Sequence, residues 1–104
     1  YNSIMVRDMP NLFVMLGPNS GGLTSTLQMI EQQAKYIGRV INEMADSGIE
    51  SINPKQDKVN EFSERVQQAT AQTTHNKGCK SWWTGIDNYN PSVWPNRVLP
   101  IRKC

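Results

Sequence analysis

Histidine and cysteine are scarce in this sequence, and long hydrophobic runs are missing. One histidine and two cysteines, Cys79 and Cys104, occur in 104 residues. Two cysteines are too few for a disulfide scaffold, and their spacing lacks the paired pattern of a zinc site, so free thiols and no metal site are expected. No apolar stretch approaches the roughly 20 residues that cross a bilayer, and the first residues do not resemble a signal peptide. A cytoplasmic protein without membrane contact is the resulting expectation.

Charge is also sparse and weakly patterned. Charged residues form 19% of the chain, the formal net charge is +2, and the only adjacent basic pair is Arg102-Lys103. No basic stripe is present, which argues against a nucleic-acid partner. A chain of this length forms at most one domain of modest stability. The low charge content indicates a piece that normally rests against more protein.

A glycine-rich stretch lacks the lysine that phosphate-transfer enzymes need. Residues 16–24 read LGPNSGGLT, which matches G-x-x-x-x-G-K-[ST] except that Leu23 replaces the lysine. Leu23 cannot neutralise phosphate charge, and no second apolar run ends in an acid that could hold magnesium. The glycines at 17, 21 and 22 do not fit G-x-G-x-x-G either. Two readings remain: a helix start whose unpaired N–H groups attract an electron-rich oxygen, or a simple sharp turn.

Residues 12–16 and 24–47 form the first predicted pair of elements. The run 12–16 is continuously apolar, which predicts a strand buried on both faces, and its partner strands must come from another segment or chain. The next apolar residues recur at helical spacing and predict a helix over 24–47, with Ser25 and Gln28 as a capping box and Gly48 as a left-handed stop. The predicted apolar stripe of this helix comprises Leu23, Leu27, Ile30, Ala34, Ile37, Ile41 and Met44.

A second helix and an irregular aromatic tail complete the chain. Asn53-Pro54 predicts the cap and first turn of a helix over 54–75. Its narrow apolar stripe comprises Val59, Phe62, Val66, Ala69 and Thr73. Residues 78–104 lack periodicity but contain Trp82, Trp83 and Trp94, whose apolar area predicts packing on protein or the lining of a pocket. The chain is therefore predicted to be mostly helical, with one buried-type strand.

Several segments, in order, resemble the flavin-containing monooxygenases of the Baeyer-Villiger type. Residues 10–13 read PNLF, residues 17–19 read GPN, residues 30–37 match IE.Q..YI, and the tail matches GC.SW at 78–82 and N...WP at 90–95. The resemblance extends from about residue 9 to 95. It implies an α/β fold for the whole enzyme: a two-domain, Rossmann-like FAD- and NAD(P)-binding flavoprotein of which residues 1–104 are a C-terminal portion.

The resemblance also implies roles for particular residues. The cofactor loop 17–23 would pass beside the flavin, and the helix start would stabilise negative charge on its pyrimidine edge, so that no lysine is needed. Pro18 occupies a place where related flavoproteins often have an aspartate. Trp82 would lie near the nicotinamide cofactor and the substrate. The implied cofactor-binding residues are Gly17, Pro18, Asn19, Ser20, Thr24, Ser25, Thr26 and Trp82, with no catalytic residue in this chain.

The family implies partners as well. FAD, NADP, O2 and a small organic substrate would all be bound by the complete enzyme, and the remainder of its two cofactor domains would cover this chain. The isolated chain is expected to be inactive, to hold neither cofactor, and to form a homo-oligomer because the run 12–16 needs a partner strand. The alternative from another class is a small helical interaction module whose aromatic tail docks on a partner.

Overall fold

The fold consists of two helices joined to a short parallel strand pair. The computed structural model describes residues 1–22, 24–74 and 84–96. Its elements in chain order are β1 (Gly21–Gly22), α1 (Thr26–Ser47), α2 (Gln56–Ala71), a short 3-10 helix (Ile86–Asn88) and β2 (Val93–Trp94). β1 and β2 are parallel, with Gly21 opposite Val93 and Gly22 opposite Trp94. Among the described residues, no helix is both long and apolar enough to cross a bilayer.

Helix α1 begins later than predicted and ends where predicted. Ser25 is the N-cap residue, as predicted, and the first helical residue is Thr26, two residues after the predicted start at 24. The Ser25 side chain makes no capping hydrogen bond, so the predicted capping box is wrong. Gly48 stops the helix with φ 64°. The Gly48 N–H donates to the oxygen of Ala45 (3.4 Å), and the next N–H donates to the oxygen of Met44 (2.9 Å). This is a Schellman ending, which only a residue that tolerates positive φ allows at low cost.

Helix α2 is shorter than the predicted 54–75. Lys55 is its N-cap residue and Gln72 its C-cap residue. Asn53 does not cap the helix because its Oδ1 accepts a hydrogen bond from the N–H of Asp8 (3.2 Å). The predicted stripe is confirmed in its centre, since Phe62 is 7% exposed and Val66 is 1% exposed.

The predicted strand 12–16 is wrong for this chain. The segment forms a single antiparallel bridge, between Met5 and Phe13. Leu12, Met15 and Leu16 are 40%, 45% and 43% exposed. A buried strand needs ladder partners on its edges, and among the described residues only the bridge at Phe13 and a bond from the Val14 N–H to the Ile4 oxygen (2.7 Å) supply any.

A small core lies between the first residues, α2 and β2. Ile4, Val66 and Val93 are each at most 1% exposed. Phe62 lies between two aromatic rings: Tyr1 packs edge-on at 6.0 Å between ring centroids, and Trp94 stacks at 6.2 Å. Trp94 therefore packs on protein, as predicted for the aromatic tail. Trp82 and Trp83 lie outside the described residues.

Helix α1 contributes little of its predicted stripe to this core. Leu27 is 77% exposed and Ile41 is 51% exposed, whereas the buried residues of the helix are Met29 and Gln33. The chain thus covers the predicted apolar face only in part: three of its residues within the helix are exposed and three are half-buried, namely Leu27, Ala34 and Ile41 against Ile30, Ile37 and Met44. The buried Gln33 makes hydrogen bonds to Leu16 and Ser20, at the two ends of residues 17–19.

Candidate functional site

The loop that precedes α1 has an unusual backbone. Leu16 has φ 52° and Asn19 has φ 58°. Positive φ is strained for residues other than glycine, and more so for a bulky side chain such as leucine. Between them, a Cβ on Gly17 would lie 2.6 Å from the backbone oxygen of Ser3. Glycine is therefore required at residue 17 by close approach of another backbone segment.

Asn19 joins this loop to the segment that leads into β2. It is 5% exposed. Its Nδ2 donates to the oxygens of Asn90 (2.8 Å) and Val93 (3.0 Å), and its backbone N–H donates to the oxygen of Pro91 (2.7 Å). The Asn19 oxygen accepts a hydrogen bond from Ser3 Oγ (2.9 Å). With its side-chain donors used in this way, Asn19 holds the loop in place.

Asn90 organises the opposite side of the same junction. It is fully buried, and its Oδ1 accepts hydrogen bonds from the N–H groups of Ser92 (3.0 Å) and Val93 (2.9 Å). Gln67 of α2 binds its backbone twice: Gln67 Nε2 donates to the Asn90 oxygen (2.8 Å), and the Asn90 N–H donates to Gln67 Oε1 (3.0 Å). Sequence reasoning placed Asn90 in a family motif but gave it no role, and it gave Gln67 none.

A cavity of about 360 Å³ opens between the loop, β1 and the start of α1. Four of the predicted cofactor residues line it together: Gly17, Pro18, Ser20 and Thr26. Thr24 and Ser25 lie in sequence between the lining residues Gly21 and Thr26 but do not line the cavity. Trp82 lies outside the described residues. The other lining residues are Leu16, Gly21, Pro91 and Ser92.

Asn19 borders a different cavity of about 300 Å³. This second cavity lies against the first residues of the chain and helix α2, and Pro18 lines both cavities. Its apolar lining includes Met5, Val14 and Phe62. The loop 17–19 thus forms a wall with one face on each cavity.

The described residues that line the first cavity are uncharged and include Thr26 at the N-terminal end of α1. The first turn of α1 contains no acidic residue, so nothing in it neutralises the partial positive charge of the helix start. The first intrahelical bond runs from the Met29 N–H to the Ser25 oxygen (3.0 Å), and the N–H groups before it have no intrahelical acceptor. Such an end favours an anionic or electron-rich oxygen.

Glu31 does not alter this electrostatic setting. Its Oε1 accepts a hydrogen bond from Lys35 Nζ at 2.6 Å, on the exposed surface of α1. That hydrogen bond and the charge of Lys35 lower the pKa of the Glu31 carboxyl group. Glu31 therefore forms a surface ion pair, as the four-residue spacing predicts.

Comparison with known proteins identifies relatives along nearly the whole chain. The chain is 31% identical over 109 residues to the FAD-binding monooxygenase ktnD of Aspergillus niger, covering 99% of this chain and 18% of that protein. It is 31% identical over 97 residues to a Baeyer-Villiger monooxygenase of Streptomyces coelicolor, covering 90% and 19%. A Baeyer-Villiger monooxygenase of Pseudomonas aeruginosa is 31% identical over 107 residues, covering 98% and 20%.

No family model matches the chain, and no solved structure matches it. The chain spans about a fifth of the length of these curated relatives. This share is consistent with the C-terminal portion that the sequence motifs imply. The chain belongs to the FAD-binding monooxygenases of the Baeyer-Villiger type, as one portion of such a protein.

Proposed function

We propose that this chain is part of an FAD- and NADPH-dependent monooxygenase that inserts one oxygen atom from O2 into a ketone or onto a heteroatom. The observation that carries the proposal is the cavity at the start of α1, where Gly17, Pro18, Ser20 and Thr26 come together. Family membership supports the reaction class, and the shared cavity supports the assignment of these residues to the flavin.

The residues that line the cavity suit a flavin. A cavity of about 360 Å³ falls at the lower end of the range for small-molecule sites. Pro18 and Leu16 offer apolar surface to a planar ring, while the hydroxyl groups of Ser20 and Thr26 offer polar contacts. None of the described residues that line the cavity carries a charged side chain, which suits the uncharged ring better than a phosphate group. Bound FAD would supply the redox and oxygen-transfer chemistry.

The contribution of this chain is electrostatic and steric. The start of α1 would stabilise negative charge on the electron-rich edge of the ring, which makes a lysine at residue 23 unnecessary. Asn19, which is buried and bound to 90–93, would hold Gly17 and Pro18 against the ring. The apolar wall would exclude water from the ring.

The remaining parts of the enzyme belong to the same proposal. FAD and NADP would bind two Rossmann-like domains supplied by the rest of the protein, with Trp82 near the nicotinamide and the substrate. The chain alone would be inactive and would not retain either cofactor, since the dinucleotide-binding glycine motifs are not in it. The rest of the protein would also cover the exposed stripe of α1, including Leu27 and Ile41.

Purification of the full-length protein tests the proposal directly. We expect a yellow protein with flavin absorbance that oxidises NADPH faster when ketones or sulfides are added. A colourless protein that does not take up FAD would refute the proposal and favour the interaction module.

A pair of substitutions tests the role of the helix start. Thr26→Asp places a carboxylate at the cavity and the first turn, so it should lower the midpoint potential of bound flavin and weaken FAD binding. Ser51→Asp, at an exposed residue between the helices, is the matched control and should change neither. If both variants had the same flavin midpoint potential and the same FAD affinity, the start of α1 would not lie at the flavin site.

A further inference from the structure

Helix α1 buries a glutamine that lies outside its predicted apolar stripe. Gln33 is 0% exposed and is one of only two buried residues on this helix. Burying a carboxamide is unfavourable unless its hydrogen-bonding groups find partners. The partners of Gln33 therefore indicate why a polar residue is placed there.

Among the described residues, the hydrogen-bond partners of the Gln33 side chain are Leu16, Ser20 and Ser3. Its Oε1 accepts a hydrogen bond from the Leu16 N–H (2.9 Å). Its Nε2 donates to Ser20 Oγ (3.1 Å), with a longer contact to the Ser3 oxygen (3.5 Å). Leu16 and Ser20 stand immediately before and after residues 17–19. One side chain thus connects both ends of the loop that forms the cavity wall.

The chemistry of the three partners requires a carboxamide. A backbone N–H can only donate and a backbone oxygen can only accept. The Leu16 N–H therefore places the Gln33 Oε1 on its side, and the Ser3 oxygen places the Gln33 Nε2 on the other. A leucine could form none of these bonds. An ionised glutamate could accept from Leu16 but could not donate to Ser20 or Ser3.

The backbone of the loop needs such a constraint. Leu16 and Asn19 both have positive φ, a strained state that persists only where surrounding contacts fix it. Gln33 binds the N–H of Leu16 directly. Gln33 is connected to Asn19 indirectly, through Ser3. The backbone oxygen of Ser3 makes the longer contact with Gln33, and the Ser3 Oγ donates a hydrogen bond to the Asn19 oxygen (2.9 Å).

We propose that Gln33 is the positioning residue that holds residues 16–20 in the conformation that accepts the flavin. This inference rests on the proposed function. Loss of the constraint would leave the strained conformation only partly populated before binding. Apparent affinity falls in proportion to the populated fraction, so FAD would bind more weakly although Gln33 does not line the cavity.

The test compares neighbouring glutamines of one helix in the full-length protein. Gln33→Leu removes the constraint, and Gln32→Leu is the matched control, since Gln32 is only half-buried and adjacent in sequence. Hydrogen exchange of residues 16–20 is measured in the cofactor-free protein, and FAD affinity by quenching of flavin fluorescence. Gln33→Leu should accelerate exchange of the Leu16 amide and weaken FAD binding by about tenfold or more, because it leaves buried groups unpaired.

A conservative variant separates positioning from general stability. In Gln33→Glu, burial should favour the protonated acid, which can both accept from Leu16 and donate once. Relative to wild type at each pH, its FAD affinity should therefore rise as the pH falls from about 8 to 6. The pH dependence of FAD affinity is measured on the Gln33→Glu variant alone, so it still tests the proposal if Gln33→Leu does not fold.

The outcomes are distinct. Unchanged exchange and FAD affinity in Gln33→Leu, or a pH-independent deficit in Gln33→Glu, would overturn the role of Gln33. A wild-type protein that binds no FAD would instead overturn the proposed function. In that case the exchange of residues 16–20 still decides whether Gln33 holds the loop.

Discussion

The two helices follow the same sequence rule but reach different environments. Both α1 and α2 carry apolar residues at steps of three and four. In α2 the stripe packs inside the chain, where Phe62 and Val66 are buried. In α1 the stripe remains largely outside, with Leu27 77% exposed and Ile41 51% exposed. Periodicity therefore identifies an apolar face of a helix, but it does not tell whether the chain itself covers that face.

The proposed function accounts for the difference through the length of the relatives. The chain spans only 18–20% of them, so most of the protein that could cover α1 is not in it. Helix α2 packs against residues of this chain, since Phe62 contacts the rings of Tyr1 and Trp94. Under the proposed function, a core formed within the chain lies beside an apolar surface that the rest of the enzyme would cover.

The largest expected effect is on the packed helix. Phe62→Ala should lower the free energy of unfolding by about 3–5 kcal/mol, because it removes a buried ring and leaves a cavity. At protein concentrations low enough to keep the isolated chain monomeric, Leu27→Ala should change its stability by less than about 0.5 kcal/mol, as expected for a surface residue. In the full-length protein, Leu27→Ala should instead cost about 2 kcal/mol or more. Denaturant unfolding of both variants in both settings provides the measurement.

A large cost for Leu27→Ala in the isolated chain would show that α1 is already covered there. No cost in the full-length protein would show that nothing covers Leu27. Either result would remove the contrast between the helices.

The next effect concerns self-association of the isolated chain. Its exposed apolar residues, which include Leu12 and Met15 as well as Leu27 and Ile41, should make it non-monomeric. Leu27→Ser with Ile41→Ser should weaken this association by about tenfold or more, because burial of each side chain contributes about 1.5–3 kcal/mol. Light scattering over a concentration series measures the effect.

Asn42→Ser, at an exposed polar residue of the same helix, serves as the control and should leave the association unchanged. A monomer at all concentrations for the unsubstituted chain would contradict the expectation.

The sequence predicted the parts of the fold that depend on local rules. The left-handed ending at Gly48 follows from glycine itself, and the burial of Phe62 and Val66 follows from spacing within α2. The error at residues 12–16 has a different cause. An apolar run indicates that a segment is buried in the whole protein, but strand formation requires partner strands that the run cannot specify. The cap at Asn53 failed because a distant backbone group, the Asp8 N–H, uses its side chain.

A third effect, of intermediate size, tests the loop that α1 holds. Gly17→Ala should cost about 1–3 kcal/mol of stability because its Cβ would lie 2.6 Å from the Ser3 oxygen, a backbone atom that must then move. That oxygen also contacts Gln33, so FAD affinity should fall as well. Thermal unfolding and FAD titration of the full-length protein measure both consequences.

Gly38→Ala is the matched control within α1. Nothing lies within 4 Å of the added Cβ, so the substitution should stabilise the helix by up to about 1 kcal/mol. A tolerated alanine at residue 17 would show that the first residues do not pack against the loop.

The candidate site was predictable only in part, for a related reason. The motif at 17–19 and the helix start locate the cavity, and Gly17, Pro18, Ser20 and Thr26 line it. The residues that hold its wall were missed: Gln33 and Gln67 read as ordinary polar helix residues, and Asn90 as a tail residue. Their roles depend on hydrogen bonds across 17, 23 and 71 residues, which no local pattern encodes. For Gln33, the sequence signal was a polar residue that lies between apolar positions of helix α1.

The smallest effect should be the same on both helices. Glu31 pairs with Lys35 on α1 at 2.6 Å, and Glu61 pairs with Lys58 on α2 at 2.8 Å, all at exposed side chains. In each case the hydrogen bond and charge of the lysine lower the pKa of the carboxyl group. A lowered pKa in the folded state contributes stability above the unfolded pKa of about 4.3, and this is lost as the pH falls through the folded value. Glu31→Gln and Glu61→Gln should therefore reduce the acid dependence of unfolding slightly and equally, and high salt should remove the difference from wild type. A much larger effect at Glu31 would mean that the helices differ in charge as well as in apolar burial, and that the covering protein alone does not explain their contrast.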